Sequence, residues 1–278
     1  MKANRKPIQL IVNADDYGYF PGISRGILDA ARSGKLTATG ILANSPDLKV
    51  QLQWLDAVDS LDIGVHLNLT HRRPLTAAMA EKLSRWNGEF PGAYPMSLMI
   101  LTGQVGINEV RAEWRAQIEA CQGRKLVFLN SHEHIHMLPV LFPLILELAH
   151  EYRIPHVRLT QAEWLLPSGA SALLRNMLLQ SMHMINQLRF NTVQAPVLLG
   201  LNRSGKLDLA YLAKIFSKLT PGKTYELMCH PGHFHPSEIS DRKLIAYHDW
   251  EQELALLHSP KLQDLYEKYG ICLGHYQS

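Results

Sequence analysis

Ile8-Gln9-Leu10-Ile11-Val12-Asn13-Ala14-Asp15-Asp16-Tyr17-Gly18 is the stretch whose reading decides the fold. A short apolar run ends abruptly in two adjacent carboxylates. An apolar run of this kind, closed by turn residues, is the pattern of a buried strand. Gly22–Arg32 then has helical spacing, with Gly34 placed to close the helix. The same unit recurs along the chain. Strands are predicted at Ile8–Ala14, Thr37–Ala43, Leu61–Leu69, Lys125–Leu129, Ile154–Leu159, Thr224–Cys229 and Ile271–Gly274. Helices are predicted from Ser45-Pro46, and over Asn108–Cys121, Pro139–Tyr152, Leu207–Leu219 and Asp241–Leu257. Repeated alternation of this kind predicts an α/β fold with a parallel sheet covered by helices. About seven such units in one domain over 1–278 suit a barrel better than an open sheet. Two stretches break the rhythm. Residues 71–105 are rich in Pro and Gly. Residues 160–205 carry a long apolar, Met-rich run from Trp164, Leu165 and Leu166 through Leu178 to Ile185 and Leu188.

The bulk properties exclude more than they assign. The 278 residues are 46% hydrophobic and 19% charged, which is ordinary globular composition. A net charge of +3 without a long Lys/Arg run gives no case for nucleic acid. Three cysteines, Cys121, Cys229 and Cys272, have no close spacing, so neither a disulfide framework nor a Cys-based zinc site is expected. A reducing, cytoplasmic compartment follows from that cysteine usage. The apolar stretch after the basic start is too short for a secretory signal. No run approaches the ~18 apolar residues of a membrane span.

Ligand-type residues fall at the same place in successive units: Asp15-Asp16 after the first strand, His66 near the end of another, His132, His134 and His136 directly after a third, and His230 after Cys229. In parallel α/β folds the C-terminal strand ends converge on one face, and sites are built there. A lone histidine at a strand end is usually structural, but four such clusters at four strand ends point to a site. If the chain is still extended there, Asp15 and Asp16 point in different directions, so one can hold a cation while the other faces water or substrate. On an extended segment His132, His134 and His136 would share a face; one direct ligand is expected among them. Asp plus two His leaves open positions, as catalytic metal sites require. Such mixed donors suit zinc, cobalt, manganese or magnesium.

These residues carry a resemblance. Val12–Gly18, Gly64–Thr70 with Arg73-Pro74-Leu75, Ser131-His132 through Pro139, and Glu226–Gly232 together resemble the YdjC-like carbohydrate deacetylases, a group that includes chitooligosaccharide and hopanoid-cluster types. The resemblance spans most of the chain. It implies a deformed (β/α) barrel like that of NodB-type deacetylases. It also implies one divalent cation, magnesium, held by Asp16, His66 and His132. Asp15 is then the general base and His230 the general acid. Asn130, His134, His136 and Arg73 fall in the substrate-binding or supporting set. The chain departs from the family pattern at Asn130, where Asp is usual, and at Glu133, where His is frequent.

The expectation is a metal-dependent hydrolase that removes the N-acetyl group of an amino sugar, either a soluble oligosaccharide or a lipid-linked N-acetylhexosamine. Rival readings are hydrolysis of another bond, such as a phosphoester, and an inactive carbohydrate-binding scaffold. The apolar run in 160–205 is read as a lid over the site, a homodimer interface, or a peripheral contact with the inner face of the membrane.

Overall fold

In the computed structural model, which describes residues 6–163, 170–191 and 193–276, all strands join one parallel sheet. The strands are β1 (Ile8–Tyr17), β2 (Ala38–Ile41), β3 (Asp62–Leu67), β4 (Leu126–Ser131), β5 (His156–Val157), β6 (Val197–Leu199), β7 (Thr224–Cys229) and β8 (Ile271–Leu273). The helices are α1 (Pro21–Arg32), α2 (Leu48–Trp54), α3 (Ala77–Lys82), α4 (Ala93–Leu101), α5 (Ile107–Ala120), α6 (Phe142–Glu151), α7 (Ala170–Arg189), α8 (Leu209–Phe216), α9 (Arg242–Tyr247), α10 (Trp250–His258) and α11 (Pro260–Tyr269).

The sheet order is β5-β4-β3-β2-β1-β7-β6. The seven-strand path stays open, ending at two short strands, so it is a barrel that does not close. β1 is its axis because it is long enough to serve three partners. β7 covers one edge over Gln9–Ala14. β8 takes the start of the other edge at Ile8–Leu10, and β2 takes its end from Asn13 to Tyr17. Apart from Gln9, every residue of β1 is buried. Both faces are therefore covered, which is why the strand reads as a nearly unbroken apolar run. Ile23 and Ile27 of α1 and Trp114 of α5 are wholly buried in the same core. Each such side chain contributes roughly 1.5–3 kcal/mol of burial free energy.

Several elements differ from expectation. The excursion at 160–205 contains β6 and the 20-residue α7, and Trp164, Leu165 and Leu166 lie outside the described residues. The excursion at 71–105 holds α3 and α4. It is pinned to α5 by Glu113, whose carboxylate accepts from the backbone of Leu75 and Thr76 and from Asn44. The second helix starts at Leu48 rather than Pro46. The Ser45 hydroxyl instead accepts from the Asp47 backbone and the Gln51 amide. The predicted Asp241–Leu257 helix is two helices. His248 adopts an extended backbone, and Asp249 caps a new start by accepting from the Gln252 N–H at 3.1 Å. α11, which the sequence reading lacked, begins on Pro260 and ends on Gly270 in the left-handed region.

Candidate metal centre

The site begins where β1 stops being regular. Its register against β2 shifts between Ala14 and Tyr17, and Asp16 has φ 71°. That left-handed conformation is uncommon for a residue other than Gly and concentrates at functional sites. The bulge overturns strict alternation. Asp15 and Asp16 both reach the imidazole of His66, from opposite sides. Asp15 Oδ1 lies 3.7 Å from Nδ1 and Asp16 Oδ1 lies 3.4 Å from Nε2.

His66 on β3 sits in register with Asn130 on β4, so their side chains share a face. Asn130 Oδ1 accepts from His66 Nδ1 at 2.8 Å, and Asn130 Nδ2 donates to Asp15 Oδ1 at 2.9 Å. The amide oxygen can only accept, so His66 Nδ1 carries a proton and Nε2 is the ring nitrogen left to face a cation. Gly40 on β2 makes room for this pair. A Cβ there would lie 3.1 Å from the His66 Cβ and 3.3 Å from Asn130 Oδ1. Asn130 thus does the orienting work expected of an Asp, and its NH2 also bridges to Asp15, which a carboxylate could not do.

His66 Nε2 faces His132 Nδ1 at 3.3 Å, and His132 Nδ1 lies 2.9 Å from Asp16 Oδ1. Asp16, His66 and His132 form a buried group whose ligand atoms lie within 4.8 Å of one another. Burial opposes charge on His132, but the carboxylate of Asp16 outweighs it and pushes the imidazole up to about 9. Burial also opposes ionisation of Asp16, and His132 with His66 holds it well below the ordinary carboxylate range. Two imidazoles and one carboxylate, all out of water and with one tautomer already fixed, are a donor set that fits a divalent cation.

Asp15 is the hub of a second network. Its Oδ1 accepts from Asn13 at 3.0 Å, Asn130 at 2.9 Å and Arg158 at 3.0 Å, and its Oδ2 accepts from Arg158 at 2.7 Å. Arg158 is shared with Glu226, which accepts from its Nε at 2.9 Å and also from its Nη2. Burial raises the pKa of Asp15, and Arg158 and then His66 more than reverse that, so the group stays ionised.

The histidines after β4 divide. Residues 132–137 are a 3₁₀ turn with Glu133 and His134 at positive φ, not an extended segment, so the three imidazoles do not share a face. His136 Nε2 donates to the Arg158 carbonyl at 2.9 Å, and the Ser131 hydroxyl donates to its Nδ1 at 2.6 Å. Burial drives His136 down to about 3, so it stays neutral and holds the backbone that carries Arg158. His134 lines the cavity and pairs its Nδ1 with the Thr160 hydroxyl at 3.1 Å.

His230, after β7, lines the same cavity. Its backbone N–H donates to Glu253 at 2.6 Å, and its buried Nδ1 has no hydrogen-bond partner. Its ring lies 5.0 Å from that of His248, which burial lowers to about 3. Arg73 does not reach the site. Its side chain is exposed and lies 3.6 Å from Glu89. The neighbouring Arg72 turns inward and covers the rings of Tyr19 and Phe20.

The cavity above these groups measures about 640 Å³. Asp15, Asp16, His66, His132 and His230 share its floor, while aliphatic residues of α4 and α7 form much of its wall. Sequence reasoning missed Arg158, Glu226, His71 and His248. The first two left a signal: a single charge inside each of two apolar strand regions, opposite in sign, asks for a partner. His71 and His248 left none, because only the folding of their loops brings them to the mouth.

Known proteins resemble this chain in sequence and in shape. A chitooligosaccharide deacetylase of Yersinia pestis (strain Pestoides F) is 35% identical over 154 residues, covering 52% of this chain and 57% of the relative. The counterpart in Yersinia pseudotuberculosis serotype O:1b (strain IP 31758) matches to the same extent. The chain thus spans a little over half the length of these relatives. A crystal structure from Enterococcus faecalis V583, named for a proposed cleavage of cellobiose-phosphate, superposes with a TM-score of 0.71. That match covers 98% of each chain at 23% identity, which establishes the shared fold. The family model described as YdjC-like protein matches residues 9–268, from β1 through most of α11, and the chain belongs to that family.

Proposed function

We propose that the chain is a metal-dependent N-deacetylase of acetylated amino sugars. The observation that carries this reading is the meeting of Asp15, Asp16, His66, His132 and His230 on one cavity floor. The activity named for the Yersinia relatives supports it. A divalent cation held by Asp16, His66 and His132 would supply Lewis acidity towards the acetyl carbonyl and make a neighbouring water more acidic. Two imidazole donors favour zinc over magnesium.

The remaining chemistry belongs to the chain's own groups. Asp15 receives the proton of the attacking water at Oδ2, the oxygen that accepts only from Arg158. Arg158 and Glu226 keep that carboxylate from rotating. His230 gives a proton to the leaving amine, a role imidazole suits near neutral pH. Water and an acetamide become acetate and a free amine.

N,N′-diacetylchitobiose incubated with the protein, with and without a chelator, tests the reading. Acetate release that the chelator abolishes and zinc restores is expected. Release of phosphate from a sugar phosphate without any acetate from acetylated sugars would overturn it.

A further inference from the structure

The helix α7 is inside out. Its buried stripe holds Asn176, Leu179, His183 and Asn186, three of them polar. Two of these are fastened within the protein: Asn176 donates to Asn202 Oδ1 at 2.6 Å, and Asn186 donates to the Met137 carbonyl at 2.8 Å. The outer face carries Leu174, Met177, Leu178, Ile185 and Leu188, with Met177 60% and Leu188 82% exposed. A helix of a water-soluble surface has the reverse arrangement.

The apolar surface continues around the cavity mouth. Tyr94 and Leu101 of α4, Leu178 of α7 and Tyr247 of α9 line the cavity and are also exposed, so they form its rim. Leu98 extends the patch outward on α4 and Ile245 on α9. Contiguous apolar surface of this kind marks an interaction site.

Charge identifies what it meets. Neither α4 nor α7 contains an acidic residue. α7 carries Arg175 and Arg189, and α9 carries Arg242 and Lys243. Among the described residues that line the cavity above its floor, the acids are Glu133 and Asp241, and Asp241 caps α9 by accepting from the Lys243 N–H at 2.8 Å. A second copy docked about a twofold axis would set this basic patch against itself and cover the mouth. An anionic bilayer matches both the apolar face and its basic surround.

We propose that α4, α7 and α9 seat the protein on an anionic lipid surface, with the cavity mouth opening into the headgroup layer. Docking stands on the surface alone. Its consequence, that the acetylated sugar is carried on a lipid, rests on the deacetylase reading.

Flotation with phosphatidylglycerol vesicles tests it. The wild-type protein is expected to float with them, and to float much less with phosphatidylcholine vesicles or at high salt. Leu174→Asp/Met177→Asp/Leu188→Asp, at positions outside the cavity, should weaken association at least about tenfold. The same variant should release acetate from N,N′-diacetylchitobiose at the wild-type rate. A wild-type protein that ignores phosphatidylglycerol vesicles, or a variant that floats as well as wild type, overturns the proposal. So does a wild-type dimer in sedimentation that the triple variant converts to monomer, which would give the face to a second copy. Flotation needs no catalysis, so absence of acetate from both N,N′-diacetylchitobiose and a lipid-linked N-acetylhexosamine, with flotation intact, would sink the deacetylase reading alone.

Discussion

The floor of the cavity and its α7 wall both break the rule that polar groups face water and apolar groups face inward, and they break it in opposite ways. On the floor Asp15 and Asp16, and beneath it Arg158 and Glu226, are buried almost completely. Each is answered within the protein: the carboxylate of Asp15 alone accepts four hydrogen bonds. A buried charge costs several kcal/mol when its partner is removed. The charges of the floor are therefore held by one another, while the donors of Asp16, His66 and His132 converge and the Nδ1 of His230 stays unpartnered. On α7 the polar stripe is fastened through the amides of Asn176 and Asn186, while His183 Nδ1 and Asn186 Oδ1 stay unpartnered and the apolar face is left to solvent. A fully exposed leucine forgoes roughly 1.5–3 kcal/mol that burial would provide, a limit that Leu188 approaches and the half-exposed Leu174 and Leu178 share in part. The lesson is that buried polarity can be settled by the chain itself, whereas exposed apolarity needs something outside it.

The largest effect should come from striking the floor at its hub. Asp15→Asn is expected to lower kcat by about 10²–10⁴-fold, the range for loss of a general base. It should also cost stability, because Arg158 loses one of its two carboxylates; a cost of up to about 3–5 kcal/mol is the scale for a broken buried pair. A variant with unchanged denaturation midpoint and near-wild-type turnover would remove Asp15 from both roles.

Asn130→Ala should come next. It frees the His66 tautomer and is expected to reduce cation affinity by about 10–100-fold, as for other groups that orient a ligand. Competition with a chelator of known affinity measures it, and an unchanged affinity would show that Gly40 and the strand register orient His66 without help.

Protonation should also weaken cation binding. His132 is held protonated up to about 9 by Asp16, so in the cation-free protein a bound proton must leave before that nitrogen can ligate. Affinity should fall about tenfold per pH unit below that point, with proton release seen by calorimetry in two buffers. The sign for the cation-free fold follows from the same raised value. The His132–Asp16 contribution is complete below the ordinary histidine pKa of about 6.5 and is lost as pH rises through about 9.

A smaller effect is expected on the α7 side. Asn186→Leu leaves the Met137 carbonyl without its donor, at a cost of about 1–3 kcal/mol in chemical denaturation. A stabilised variant would mean that the polar stripe of α7 is not what fastens it to the turn after β4. Arg73→Ala should change neither kcat/KM nor cation affinity, because its side chain is on the outer surface.

The reach of the sequence can be judged from particular residues. The strand runs at Ile8–Ala14 and Thr224–Cys229 were legible because a strand covered on both faces must be apolar along its length. The placement of Asp16, His66, His132 and His230 was legible for the related reason that parallel strands send their C-terminal ends to one side. What the sequence could not supply was direction. Adjacent Asp15 and Asp16 should have diverged, and a bulge turned both onto His66. His132, His134 and His136 share a spacing, and a left-handed turn gave them three different jobs. Arg72 and Arg73 are equivalent by sequence, and the fold laid one, half-buried, over the ring of Tyr19 while leaving the other outside. The apolar run at 173–188 was plain to read, but its outward orientation was not. A periodic pattern fixes which residues share a helix face, and only the partners Asn202 and Met137, far along the chain, decided which face turned inward.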